Sequence, residues 1–286
     1  MTTKARPPRR AAALLTAALL STALAGAGLW WSTRGDAGTT GGRLGGDFHV
    51  LRALPDGRLL YGQHAGVSAS QDGGRTWGLP GGGEDAMALA ASPRAPGVLV
   101  MAGHDVLRVS RDGGRTWRDQ GFGNLPGTDV HGFAVAPDLP NVWYANLAGW
   151  GLYRSENGRS WRPVSPATSD AIALAAGPGS SPRLYALTME GRLIVSDDGT
   201  TWQRVGDTPQ AVGSGLDAYP VSGKGYLAGP AGVARSEDRG ASWTNLNPPE
   251  GARLVTAGPR DEMKRYAAVE GETVYRSADG GRSWSR

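Results

Sequence analysis

Ser70-Gln71-Asp72-Gly73-Gly74-Arg75-Thr76-Trp77 is the phrase around which this 286-residue chain is organised. It returns at 110–117, 236–243 and 277–284, and one residue shorter at 155–161 and 196–202. The closing tryptophans (Trp77, Trp117, Trp161, Trp202, Trp243 and Trp284) stand 40, 44, 41, 41 and 41 residues apart. A phrase repeated six times at that period is architecture before it is chemistry.

Each residue type in the phrase has a physical job. The acidic or amide residue (Asp72, Asp112, Asn157, Asp198, Asp238, Asp279) bonds back to its own backbone, and the following glycines accept positive φ. The leading serine offers a hydroxyl that closes the turn from the other side. Ser or Thr followed by Trp then opens an outgoing strand with a large aromatic to pack between sheets.

Working outward, each repeat holds four short strand-like runs. In the first these are 48–54, 58–62, 66–70 and a run opening at Trp77; in the second, 86–91, 97–102, 106–110 and a run from Trp117. The second run carries an aromatic in five repeats (Tyr61, Tyr144, Tyr185, Tyr226, Tyr266) and Met101 in the other. Gly and Pro together number 64 and fall mainly between the runs, where turns are needed. No helix-period apolar pattern competes. Four strands per roughly 40 residues is the pattern of a propeller blade, so the fold expected is all-β, a six-bladed propeller of four-stranded blades over 47–286. Only Ser285 and Arg286 follow Trp284, so the expectation is that part of the Gly-rich segment before Asp47 completes the last blade and spares it an open edge.

The six phrases resemble the Asp-box, the bacterial neuraminidase repeat of sialidases and other β-propellers. Among exported Asp-box proteins, which include sialidases, xyloglucan-active glycosidases and photosystem assembly factors, the chain looks most like short bacterial members of unproven activity. The resemblance implies that the repeated turns lie on the outer rim of the bottom face, as structure, and that ligands bind on the opposite face.

Residues 1–31 stand apart. Lys4, Arg6, Arg9 and Arg10 precede an uncharged run, 11–31, long enough to span a bilayer and ending in Trp30-Trp31. This reads as an export signal kept as a membrane anchor; the small-x-small triplets Ala23-Leu24-Ala25 and Ala25-Gly26-Ala27 leave cleavage and secretion open. The segment 32–46, rich in Gly and Thr, is expected to be a tether between membrane and propeller. Four of the 30 basic residues precede Ala11, which leaves 26 against 26 acidic ones. A balanced propeller offers no electrostatic footprint for nucleic acid. The absence of cysteine excludes disulfides and thiolate metal sites. A monomer is expected.

The top-face loops hold the candidate site. An aspartate precedes the first run in five repeats: Asp47, Asp85, Asp129, Asp170 and Asp217. These should ring the mouth of the central channel, unless they only tie down turns. All four histidines fall on the same face of neighbouring blades. His49 and His131 follow ring aspartates by two residues, and His64 and His104 sit between the second and third runs, the latter beside Asp105. Such a set can form a polar cleft or an acid/base group. The spacing matches no local metal motif, so no metal ligands and no cofactor are assigned, although a divalent cation at this His/Asp face stays open. Trp150 offers an aromatic platform, and Glu190, Glu270 and Glu272 occupy equivalent loops.

Three functions follow as expectations. The first is a binding module for a glycan, peptide or protein partner through the top face. The second is a sialidase-like glycoside hydrolase, which the resemblance invites and which needs two suitably spaced carboxyl groups or a tyrosine nucleophile. Against a true sialidase, the family's Phe/Tyr-Arg-Ile-Pro motif is absent: the nearest string, Leu51-Arg52-Ala53-Leu54-Pro55, is out of register. Only Arg192 and Arg253 stand where the family's arginine clamp would be needed. The third is an assembly factor for a membrane complex.

Overall fold

The computed structural model describes residues 31–32, 44, 48–82, 84–205, 215–218, 222, 224–229, 232–269 and 273–286. The leader, most of the Gly-rich segment, Asp47, Glu270 and Glu272 lie outside the described residues. Among those described, no helix is long and apolar enough to cross a membrane.

Six antiparallel sheets follow one another as blades. The first holds Phe48–Ala53, Leu59–Gln63, Gly66–Ser70 and Gly81–Gly82. The third, the most regular, holds Val130–Val135, Trp143–Leu147, Gly151–Ser155 and Trp161–Ser165. The inner strands pack in chain order around a channel, and the sixth (Ala252–Gly258) meets the first, so the ring closes. The expected six-bladed all-β propeller is the fold observed.

The repeated phrase is the turn between the third and fourth strands of each blade. In the first copy the Ser70 hydroxyl donates to Asp72 Oδ1 at 2.8 Å and accepts from the Gly74 amide at 2.7 Å. Asp72 accepts from the Thr76 amide at 2.9 Å and the Thr76 hydroxyl at 2.6 Å. The tryptophan does not always open the outer strand: that strand starts at Gly81 in the first blade, at Gln203 in the fourth and at Thr244 in the fifth.

What the tryptophans do is fill seams. Trp117 packs with Leu60 and Val67 of the first blade, Trp161 with Val100 and Leu107 of the second. Trp202, Trp243 and Trp284 pack against the third, fourth and fifth blades in the same way. Trp77 packs against Leu254, Ala268 and Val274 of the sixth. Gly74, at φ 93°, sits so close to that blade that a Cβ would meet Val274 Cβ at 2.7 Å.

The Gly-rich segment expected to complete the last blade lies almost wholly outside the described residues. Ser285 takes the outer position of the sixth blade, exchanging two 2.8 Å backbone hydrogen bonds with Arg276. Leu44 is buried in the seam between the sixth and first blades rather than in a strand. Trp31–Ser32 pairs instead with the outer strand of the second blade, Trp31 opposite Trp117.

Candidate functional site

Three blades bring the four histidines and two of the aspartates into one cluster at the channel mouth, on the face opposite the repeated turns. His49 and His131 are each the second residue of an inner strand, and both fall where the pairing register shifts, between Phe48 and Val50 and between Val130 and Gly132. A bulge leaves one residue out of the ladder and re-aims its side chain. The same shift recurs at Ile172 and Arg253. His49, His131 and Ile172, with Met87 of the second blade, line the upper channel cavity.

His64 and His104 come from the hairpin loops after the second strands. Asp85 is held between them by close backbone packing. A Cβ on Gly103 would lie 1.8 Å from the Asp85 carbonyl oxygen, and one on Gly62 would lie 2.4 Å from that of Ala86. Two glycines thus let the chain before the second inner strand pass between the loops.

The resulting contacts form two trios. In the first, Asp85 Oδ1 lies 3.1 Å from His49 Nε2 and 3.0 Å from His64 Nδ1, and those two nitrogens are 3.3 Å apart. In the second, Asp129 Oδ1 lies 3.1 Å from His104 Nε2 and 3.0 Å from His131 Nε2, and those nitrogens are 3.2 Å apart. The other carboxylate oxygen of Asp85 joins the trios, 2.6 Å from His104 Nδ1. A nitrogen and an oxygen that close require a proton between them. His104 therefore carries hydrogen on Nδ1 and, when neutral, turns the lone pair of Nε2 toward Asp129 and His131.

The remaining sequence candidates divide. Asp105 adopts a left-handed backbone, φ 55°, and its carboxylate accepts from the Thr128 hydroxyl, so it ties down the next loop instead of joining the histidines. Asp170 is exposed, and its carbonyl accepts from the Met189 amide. Trp150 stands 56% exposed on the loop whose Ala148 amide donates to the Asp129 carbonyl, its indole nitrogen near Gly127. Glu190 pairs with Arg192 at 2.6 Å.

Asp217 corrects the ring reading. It lies inside the inner strand Gly215–Ala218, opposite Tyr226, where Leu51, Ala134 and Ala175 stand opposite Tyr61, Tyr144 and Tyr185. It is buried within the channel, accepting from Arg52 Nη1 at 3.0 Å, the Thr256 hydroxyl at 2.9 Å and the Ala257 amide at 3.3 Å. The sequence carried a signal: Asp217 precedes its tyrosine by nine residues, whereas Asp47, Asp129 and Asp170 precede theirs by 14 or 15. Arg52, which sequence reasoning passed over, separates the upper cavity from a lower one that it lines with Asp217. The upper cavity measures about 50 Å³, room for a few waters and far below a sugar or peptide cleft. A larger ligand at this cluster would have to lie on the mouth, outside the channel; roomier clefts of about 490 and 390 Å³ lie elsewhere, both lined by Arg154, Glu156 and Arg162.

The cluster also limits its own chemistry. Glycoside hydrolysis of the common kind uses two carboxyl groups flanking the scissile bond. Here the imidazole of His104 fills the space between Asp85 and Asp129. Two nitrogens and one oxygen in each trio make a donor set suited to a divalent transition metal.

No protein-family profile matches the chain, and no curated protein matches it in sequence. Solved structures do match in shape. A GH74 xyloglucanase from Xanthomonas campestris superposes with TM-score 0.57 at 19% identity, over 90% of this chain and 46% of that one. The protein YCF48, in a structure with the D1 peptide bound, superposes with TM-score 0.54 at 15% identity, over 89% of this chain and 84% of that one. A gluconolactonase from Xanthomonas campestris gives TM-score 0.62 at 13% identity, over 84% and 89%. The chain spans less than half the length of the GH74 enzymes it matches. At these identities the likeness is one of propeller fold.

Proposed function

We propose that this protein is an exported binding module of the Asp-box type, held at a membrane by its N-terminal segment, whose top face takes a peptide or glycan. The observation that carries the reading is the convergence of His49, His64, Asp85, His104, Asp129 and His131 from three successive blades beside the exposed Trp150. Turn-capping accounts for Asp105, but it does not call for four imidazoles on two carboxylates. Polar groups gathered at a channel mouth next to an aromatic platform are the features of a recognition site.

A peptide or protein partner is favoured over a polysaccharide. The likeness to the peptide-bound YCF48 extends over most of both chains, whereas that to the xyloglucanases covers less than half of theirs. The position of His104 between the two carboxylates also counts against a glycosidase at this cluster.

The test is retention on peptide and glycan arrays by the full-length protein, with a panel of chromogenic glycosides assayed in parallel. The reading expects retention that is lost in Asp129→Ala and His131→Ala while circular dichroism stays unchanged, with no glycoside turnover. Turnover abolished by replacing one carboxylate would overturn it.

A further inference from the structure

We propose that the two trios are a linked pair of divalent transition-metal sites, one formed by His49, His64 and Asp85, the other by His104, His131 and Asp129. This goes beyond the recognition of any ligand and is read with the metal alone.

The distances carry the argument. Zinc and related ions hold imidazole nitrogen and carboxylate oxygen at about 2.0–2.2 Å. Three donors about 2.1 Å from one ion lie about 3.4 Å apart in a tetrahedral shell and about 3.0 Å apart at the right angles of an octahedral one. The six separations observed run from 3.0 to 3.3 Å. Ordinary hydrogen bonds span similar lengths but need a proton aimed at an acceptor. Asp85 Oδ1 is enclosed by protein and accepts no hydrogen bond, although two ring nitrogens stand within 3.1 Å. Burying a carboxylate oxygen in that way is costly without a compensating partner.

The donor set narrows the ion. Calcium and magnesium take all-oxygen shells, whereas two imidazoles and a carboxylate suit zinc, cobalt, nickel, manganese or ferrous iron. Three protein ligands leave coordination positions open, and both trios face the channel mouth, so those positions would be available to an oxygen donor of a ligand.

The link between the sites is Asp85. Its Oδ1 belongs to the first trio, and its Oδ2 fixes the tautomer of His104, a ligand of the second. A carboxylate that orients a metal-binding imidazole is worth about 10- to 100-fold in affinity. Asp129 reaches only the second trio. The two carboxylates therefore have different reach, so their substitutions should act differently on the two sites.

The experiment is isothermal titration of full-length protein, stripped with a chelator and desalted, with zinc and separately with cobalt, whose visible absorption reports its coordination. The expected result is two equivalents per chain, falling to one in His64→Ala and to one in His131→Ala. Asp85→Asn should remove the first site and weaken the second about 10- to 100-fold; Asp129→Asn should remove the second and leave the first intact. Circular dichroism checks that each variant folds. Binding of no zinc or cobalt by the folded protein would overturn the proposal, as would a stoichiometry indifferent to His64→Ala and His131→Ala. A single equivalent would overturn the pairing, and equal effects of Asp85→Asn and Asp129→Asn on the two sites would overturn the link.

Discussion

Arg52 reaches across the channel of the propeller to Asp217, Nη1 to Oδ1 at 3.0 Å, joining the first blade to the fifth over 165 positions of sequence. The carboxylate is nearly inaccessible, and the same guanidinium donates to the Leu89 carbonyl of the second blade at 3.0 Å. This pair is the floor beneath the histidine cluster. Removing one partner of a buried ion pair strands the other charge. Asp217→Ala should therefore cost about 3 kcal/mol in urea unfolding, while Arg52→Met with Asp217→Leu should recover most of that loss. A double variant no more stable than Asp217→Ala would show that the carboxylate acts otherwise.

The seam tryptophans should not be equivalent. Trp77 is 1% exposed and closes the ring between first and last blades, whereas Trp284 is only partly buried. Trp77→Ala is expected to lose about 3–5 kcal/mol, at the level of large-to-small core changes, and Trp284→Ala clearly less. Denaturant midpoints of the two variants give the comparison directly.

Acid should act through the repeated turns. At Asp72 burial pushes the carboxyl upward, but the Thr76 hydroxyl and amide, the Ser70 hydroxyl and the Arg75 amide outweigh it and hold the group at about 2. The same balance, with Thr116, Ser110 and Arg115, holds Asp112 at about 2. At Asp238 the Ser242 hydroxyl and amide lead, again to about 2. These values lie below the ordinary 3.8, so the stabilisation is complete above about pH 4, fades as pH falls toward 2 and is gone below that. Asn157 already makes the same turn uncharged, accepting from the Arg159 and Ser160 amides at 2.9 and 2.8 Å. Asp72→Asn and Asp112→Asn keep the turn but give up the charge, so they should lower stability at pH 7 and flatten its decline between pH 4 and 2, as followed by urea midpoints across that range.

Trp150 is expected to matter for binding and not for folding. Exposed at a loop tip, it should cost less than about 0.5 kcal/mol when changed to alanine. Retention of peptide or glycan should fall at least about tenfold if it serves as an aromatic anchor. Unchanged retention in Trp150→Ala would remove it from the site.

The phrase repeated six times was enough to count blades, because turn chemistry and strand period are local properties of sequence; which face the other loops form was implied by the resemblance to Asp-box propellers. The gathering of four histidines on that face was legible for the same reason. Asp217 was misplaced because counting back to a turn ignores where the strand register begins, and its short distance to Tyr226 was the overlooked sign. The bulges at His49 and His131 left no local mark, since a register shift depends on the partner strand. The two-sided role of Asp85 also lay beyond reach: it depends on Gly62 and Gly103 letting backbones approach, a property of tertiary packing. The packing of Trp77 and Leu44 in the seam between the first and last blades was likewise a matter of tertiary contact.

If the channel mouth between the first three blades is the functional centre, zinc should seat there. Anomalous diffraction at the zinc edge, from crystals of the protein grown with zinc, tests it most directly. Two anomalous peaks are predicted, each about 2.1 Å from its three donor atoms: His49 Nε2, His64 Nδ1 and Asp85 Oδ1 for one, His104 Nε2, His131 Nε2 and Asp129 Oδ1 for the other. A zinc-bound crystal with its peaks elsewhere and none at these six residues would contradict it.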